Sequence, residues 1–166
     1  NNNLEYWLRG PIDGITALLQ PAAHAILQTK EEVHRGMKDF PESLIWERPE
    51  GVASVAFHLQ HIPGVLERIY TYARGKQLDQ AQLDYMMAEG KENDSIRLPD
   101  LLDHFDRQVE KALDQLRNTP EQDLLLPRQV GRRQLPSNVI GLLFHGADHT
   151  QRHTGQLLVT ARVVNI

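Results

Sequence analysis

The stretch Ser137-Asn-Val-Ile-Gly-Leu-Leu-Phe-His145-Gly-Ala-Asp-His149-Thr-Gln-Arg-His153-Thr-Gly-Gln-Leu-Leu-Val-Thr-Ala161 carries two patterns at once. Ile140, Leu143, Ala147, Leu157 and Leu158 recur at the spacing of one helix face. His145, His149 and His153 recur every four residues, so they form a second stripe on the same helix. That stripe lies close to Leu142 and Leu157 and therefore borders the apolar face. The pattern predicts a helix from Pro136 or Ser137 to about Ala161.

Outward from this segment, three more blocks show helical spacing. Val55, Leu59, Ile62, Leu66, Ile69 and Ala73 predict a helix over 54–74, with Ser54 as N-cap and Gly75 as terminator. Pro63 and Gly64 interrupt it, and Pro63 should release the Leu59 carbonyl and bend the axis near His61. Ala22, Ala25, Ile26, Thr29, Val33 and Met37 predict a helix over 21–38, with Pro21 in the first turn, where its missing N–H costs nothing. Leu102, Phe105, Val109, Ala112 and Leu116 predict a helix over 99–118. The polar stretch 76–97 admits a short helix around 80–89, and 121–135 reads as a loop. No segment alternates cleanly enough for a strand of any length. Each apolar stripe must be buried against another, so the expected fold is all-α, a four-helix bundle in a single domain over 1–166.

Composition removes several function classes. The chain has 166 residues and a net charge of -4, so no broad basic surface is available for nucleic acid. Arg128, Arg132 and Arg133 are too few for a phosphate-binding patch and read as a solvated loop. No apolar run reaches the roughly 18 residues of a membrane span. Asn1 to Gly10 has no basic start or apolar stretch of a signal peptide and reads as a frayed end. The sequence contains no cysteine, which excludes disulfides, thiolate ligands and a cysteine nucleophile. A cytoplasmic home fits that usage.

Histidine carries the chemistry. Two imidazoles four residues apart on a helix can share one ion, at ~2.0–2.1 Å each if it is zinc. A second pair, His58 and His61, lies on another helix, and a bundle-core site needs a ligand from a different helix. The bland alternative is a set of surface or hydrogen-bonded core histidines. A zinc-protease helix would place Glu directly after the first His as general base; that position is Thr150.

Three segments together resemble the DinB superfamily. Ser54-Val-Ala-Phe-His-Leu-Gln-His61 is similar to its helix-2 signature. His149-Thr-Gln-Arg-His153-Thr-Gly155-Gln156 is similar to its helix-4 signature, and Trp46-Glu-Arg-Pro49 to its approach to helix 2. The resemblance implies a DinB-like four-helix bundle holding one divalent metal ion, nickel or zinc, through His61, His149 and His153. It leaves His58 and His145 as neighbours of the ligands. The family often has arginine after the second metal histidine, where this chain has Thr154; Arg152 is the substitute at hand for contact with an anionic substrate.

Two functions follow from the resemblance. One is an enzyme that activates a low-molecular-weight thiol or a water for attack on a small electrophile, as an S-transferase or a hydrolase. The other is a non-catalytic metal-binding or stress-response bundle, with a homodimer as one form. No general base is named. Among the remaining residues, Gln156 is expected to pack between helices and Arg68 to form a surface pair with a nearby carboxylate. Glu67 and Asp148 read as helix-surface charge. His24, His34 and His104 are expected to be exposed, and Trp7 and Trp46 to pack.

Overall fold

The computed structural model describes residues 4–166. Helix α1 runs Gln20–Met37, α2 Val55–Ala73, α3 Gln80–Ala88 and α4 Leu98–Arg117. Strands β1 (Pro127–Val130) and β2 (Leu135–Asn138) form a hairpin, and α5 spans Val139–Val164. The four long helices make the bundle. α1 and α2 each pack against both α4 and α5, so α1 lies diagonally across from α2. The largest seam is between α2 and α5.

α2 is buried on nearly every side, because α4 and α5 flank it and α3 covers a third face. A helix that is apolar around most of its circumference requires such a position. Ser54 caps it, its Oγ accepting from the Phe57 N–H at 3.1 Å. The helix runs on through Pro63, which supplies no N–H to the Leu59 carbonyl. Below the histidines the α2–α5 seam closes tightly. Tyr70, 2% exposed, donates its hydroxyl to the Leu143 carbonyl at 3.2 Å. Its ring rests on Gly146, where any Cβ would stand 2.8 Å from Tyr70 Cε1.

The stretch expected as a loop before α5 contains the hairpin, with Val130 opposite Leu135 and Pro127 opposite Asn138. α5 therefore begins at Val139, not at Pro136 or Ser137. Both residues can start a helix, but strand pairing occupies them first. Pro136 is tolerated because a two-stranded ribbon has free edges. Asn138 is the cap, its Oδ1 accepting from the Gly141 N–H at 2.8 Å. The next free donors of α5, Val139 N–H and Ile140 N–H, go to the carbonyls of Leu126 and Leu124.

α4 solves the same problem with a distant residue. Arg97 at its N-cap offers no capping side chain. Glu42 accepts from the Leu98 N–H at 2.9 Å and pairs with Arg97 at 2.6 Å. The Arg97 hydrogen bond, and then the Leu98 N–H, hold the Glu42 carboxyl down to about 2. The expected frayed end falls partly outside the described residues. Within them, Tyr6–Leu8 form a short turn, and the Tyr6 N–H donates to Gln28 on α1 at 3.0 Å.

Candidate metal centre

The histidines of α2 and α5 meet across the large seam. His61, His149 and His153 each offer one ring nitrogen, and the three atoms lie within 4.8 Å of one another. His61 Nε2 and His149 Nε2 are 3.3 Å apart. The His153 ring centroid lies 4.4 Å from that of His61 and 4.6 Å from that of His149. All three side chains are half-buried.

His61 is fixed from both sides. Its ring stacks on Phe57, one turn earlier on α2, at 4.9 Å between centroids and 15° between planes. Its Nδ1 lies 2.7 Å from a carboxylate oxygen of Glu89. A carboxylate, when ionised, only accepts, so this contact favours the tautomer with the proton on Nδ1, which turns the Nε2 lone pair toward the other rings. Glu89 is clamped in turn by Arg68, whose Nη1 lies 2.5 Å away. Both side chains are nearly withdrawn from solvent, at 5% and 8% exposed.

Glu89 stands just past the end of α3, a helix that begins with a reciprocal capping box between Asp79 and Gln82. Gln82 donates to Thr71 at 2.8 Å, the Tyr85 hydroxyl to the Gln60 carbonyl at 3.1 Å, and the Gly90 N–H to Gln60 Oε1 at 2.8 Å. Two glycines make room. Gly90 turns with φ +76°, and a Cβ there would meet Phe57 at 2.9 Å. A Cβ at Gly64 would meet Glu89, Arg68 and Tyr85, all within 2.8 Å.

The electrostatics favour neutral rings. Burial first, then the neighbouring His61, His149 and His58, holds His153 down to about 4. Burial and then His61 hold His58 down to about 4. Burial also lowers His149, assisted by His61, His145 and Arg152. Neutral imidazole is the ligating form. The donor geometry fits an ion as well: four nitrogens at ~2.0–2.1 Å in a tetrahedron have edges of about 3.3–3.4 Å, which is the His61–His149 separation.

The other histidines fall around this centre or away from it. His58 is buried beneath it, its Nδ1 3.2 Å from His153 Nδ1. It also lines a cleft of about 530 Å³ with Val52, Arg152, Gly155, Gln156 and Val159. His145 is exposed, its ring 5.5 Å from His149. His24 lies 2.9 Å from the Gly10 carbonyl, and His34 pairs with Asp106 at 2.8 Å. His104 is half-buried against Tyr85, not exposed, because α3 folds over that face of α4.

Several single-residue expectations change. Gln156 is exposed on the cleft instead of packing between helices, because its position on α5 faces outward. Arg68 pairs with a carboxylate, but inside the protein, since α3 covers it. Trp7 is 63% exposed and donates its indole N–H to Glu5, whereas Trp46 packs on the core. Arg128 is tied to the Ala73 carbonyl at 2.7 Å, while Arg132 and Arg133 are solvated. Glu67 is half-buried, and Asp148 is exposed, 3.8 Å from Arg152. Thr154 is fully buried and donates to the Thr150 carbonyl, so it points away from the histidines. Glu89 went unnoticed in the sequence. The signal that could have found it was the Asp79–Gln82 capping box, which marks α3 as a real helix.

Comparison with known families places this arrangement. The family model described as the DinB superfamily matches residues 25–157. The chain belongs to the DinB superfamily. A crystal structure of a Streptococcus pneumoniae protein superposes with a TM-score of 0.63 at 16% identity, over 86% of this chain and 87% of that one. That likeness concerns the fold alone. Comparison with curated proteins gives no match. The DinB-like bundle expected from sequence is thus the observed one, with α3 and the hairpin added to it. Among the described residues, no helix is long and apolar enough to cross a membrane.

Proposed function

We propose that this DinB-superfamily protein holds one divalent ion, zinc or nickel, through His61, His149 and His153, and uses it in catalysis. The observation that carries the reading is the convergence of three ring nitrogens from two helices within 4.8 Å. Three imidazole ligands, with no fourth protein donor among the described residues, match the count of a catalytic site; structural sites are usually closed by four. Imidazole suits zinc and nickel alike. When bound, the ion would supply Lewis acidity, making a thiol or a water nucleophilic near neutral pH.

The protein's own residues supply the surroundings. Glu89 and Phe57 orient His61. The cleft beside His58 has an apolar wall from Val52 and Val159 and a cation, Arg152, at its edge. A small electrophile with a polar or anionic group suits that lining. The cleft is lined by none of the three ligands and approaches them through His58, whose Nδ1 lies 3.2 Å from His153 Nδ1; that approach is what favours an S-transferase or hydrolase over the non-catalytic reading.

The test is elemental analysis of protein purified without an affinity tag, beside a His149→Ala, His153→Ala double variant. Near-stoichiometric metal is expected in the first and little in the second. Equal metal in both removes the site. A screen of the loaded protein with low-molecular-weight thiols and small electrophiles then separates transferase from hydrolase.

A further inference from the structure

The three candidate ligands differ in what holds the nitrogen facing away from the ion. His149 Nδ1 is buried and has no hydrogen-bond partner among the described residues. His153 Nδ1 faces His58 Nδ1 at 3.2 Å, and another imidazole can donate or accept. His61 alone faces a group that, when ionised, can only accept: Glu89, at 2.7 Å. We propose that Glu89 is the positioning residue of this centre, holding His61 in the tautomer that leaves Nε2 free for the ion, with Arg68 fixing the carboxylate.

The inference rests on the metal-site reading above and adds to it a residue outside the histidine motifs. Glu89 lies 28 residues beyond His61 in the chain. It arrives by a helix that no simple four-helix bundle requires, fastened by Gln82, Tyr85 and Gly90 to Thr71 and Gln60. Gly64 keeps the space clear in which Arg68, Glu89 and Tyr85 meet. The carboxylate and guanidinium balance one another, so Glu89 orients the ring without neutralising the ion's charge. Outer partners of this kind set the tautomer and basicity of ligating histidines. A purely structural role is the competing account: the Arg68–Glu89 pair would then only pin α3 to α2.

Two readouts separate the accounts. Long-range ¹H–¹⁵N spectra of metal-free protein report which nitrogen of His61 carries the proton, with His61→Gln used for assignment. Competition with a chromophoric chelator reports zinc affinity. The variants are Glu89→Gln, Arg68→Met with Glu89→Leu (which leaves no unpaired charge), and Asp79→Ala, which removes the N-cap at the opposite end of α3 and leaves the contacts around Glu89 in place. Wild type is expected to show His61 protonated at Nδ1. The double variant should lose that preference and bind zinc roughly 10–100-fold more weakly. Glu89→Gln, a neutral acceptor, should fall between, and it carries the test if the double variant does not fold. Asp79→Ala should keep both the tautomer and the affinity. A wild-type His61 protonated at Nε2, Glu89 variants with unchanged tautomer and affinity, or an Asp79→Ala loss as large as theirs would each overturn the assignment. Absence of zinc from wild type, with the tautomer as expected and released in the Glu89 variants, would remove the metal reading and leave Glu89 as the residue that orients His61.

Discussion

Two histidine–carboxylate pairs of nearly equal length sit in different settings. His61–Glu89 measures 2.7 Å and His34–Asp106 measures 2.8 Å. The first has side chains 18% and 5% exposed, is backed by Arg68, and aims the far nitrogen of its ring at two more imidazoles. The second has side chains 42% and 34% exposed and joins α1 to α4 at the surface, near Lys30. Pair geometry therefore does not mark a site. Burial makes each polar group depend on its partner, and convergence gives the free nitrogens something to share.

The sharpest way to break this contrast is to remove one carboxylate from each pair. Glu89→Ala leaves the Arg68 guanidinium buried without a partner, a change that costs about 3–5 kcal/mol. Asp106→Ala removes a solvent-screened pair worth at most about 1 kcal/mol. Urea unfolding of the metal-free proteins measures both. Adding Arg68→Met to Glu89→Ala should restore much of the loss, because the stranded charge goes with it. Comparable losses at Glu89 and Asp106 would mean that burial does not distinguish the two pairs.

A pair of glycines sharpens it at a smaller scale. Gly64 lies under the Arg68–Glu89 pair, and an added methyl would enter a space already filled from three directions. Gly64→Ala should cost about 1–3 kcal/mol as an overpacked core position does, and should weaken zinc binding by displacing Glu89. Gly155 lies on α5 beside the cleft with nothing within 4 Å of its would-be Cβ. Gly155→Ala should raise stability by about 0.5–1 kcal/mol through helix propensity alone. A stabilised Gly64→Ala would show that the pair is mobile enough to make room, against the positioning role.

The same contrast explains what could be read from the chain. His149 and His153 lie on one helix, so their spacing alone places them together. The bundle was legible for a similar reason: apolar stripes of 18 or more residues repeat too often to be accidental. Glu89 was not legible, because its contact with His61 is tertiary and its own segment is polar, with α3 having little apolar face. Arg68 looked like surface charge because the helix that covers it could not be distinguished from loop. The hairpin escaped for a different reason. Its strands have four residues each, and Leu135 and Val130 are too few to display alternation. Local periodicity thus revealed the candidate ligands on α5, and the residues proposed to orient the centre had to be found in space.

The smallest effect concerns His104, a half-buried histidine without either of those compensations. Its Nε2 is withdrawn from solvent and has no hydrogen-bond partner among the described residues, and its ring lies 5.1 Å from that of Tyr85. Burial, then the positive charges of Arg107 and Lys111, lowers its pKa from the usual 6.5. The unfolded chain takes up that proton near pH 6.5, whereas the folded protein resists it. The contribution of neutral His104 is therefore complete above pH 6.5 and is lost as the pH falls below it. His104→Gln keeps a polar side chain and removes the titration. The difference in urea midpoint between pH 7 and pH 5 should shrink in the variant without vanishing, because His58, His149 and His153 are lowered in the same direction. An unchanged difference would place the acid sensitivity entirely at the histidine centre. That outcome would strengthen the opening contrast, since the converging rings alone would then carry the electrostatic cost of burial.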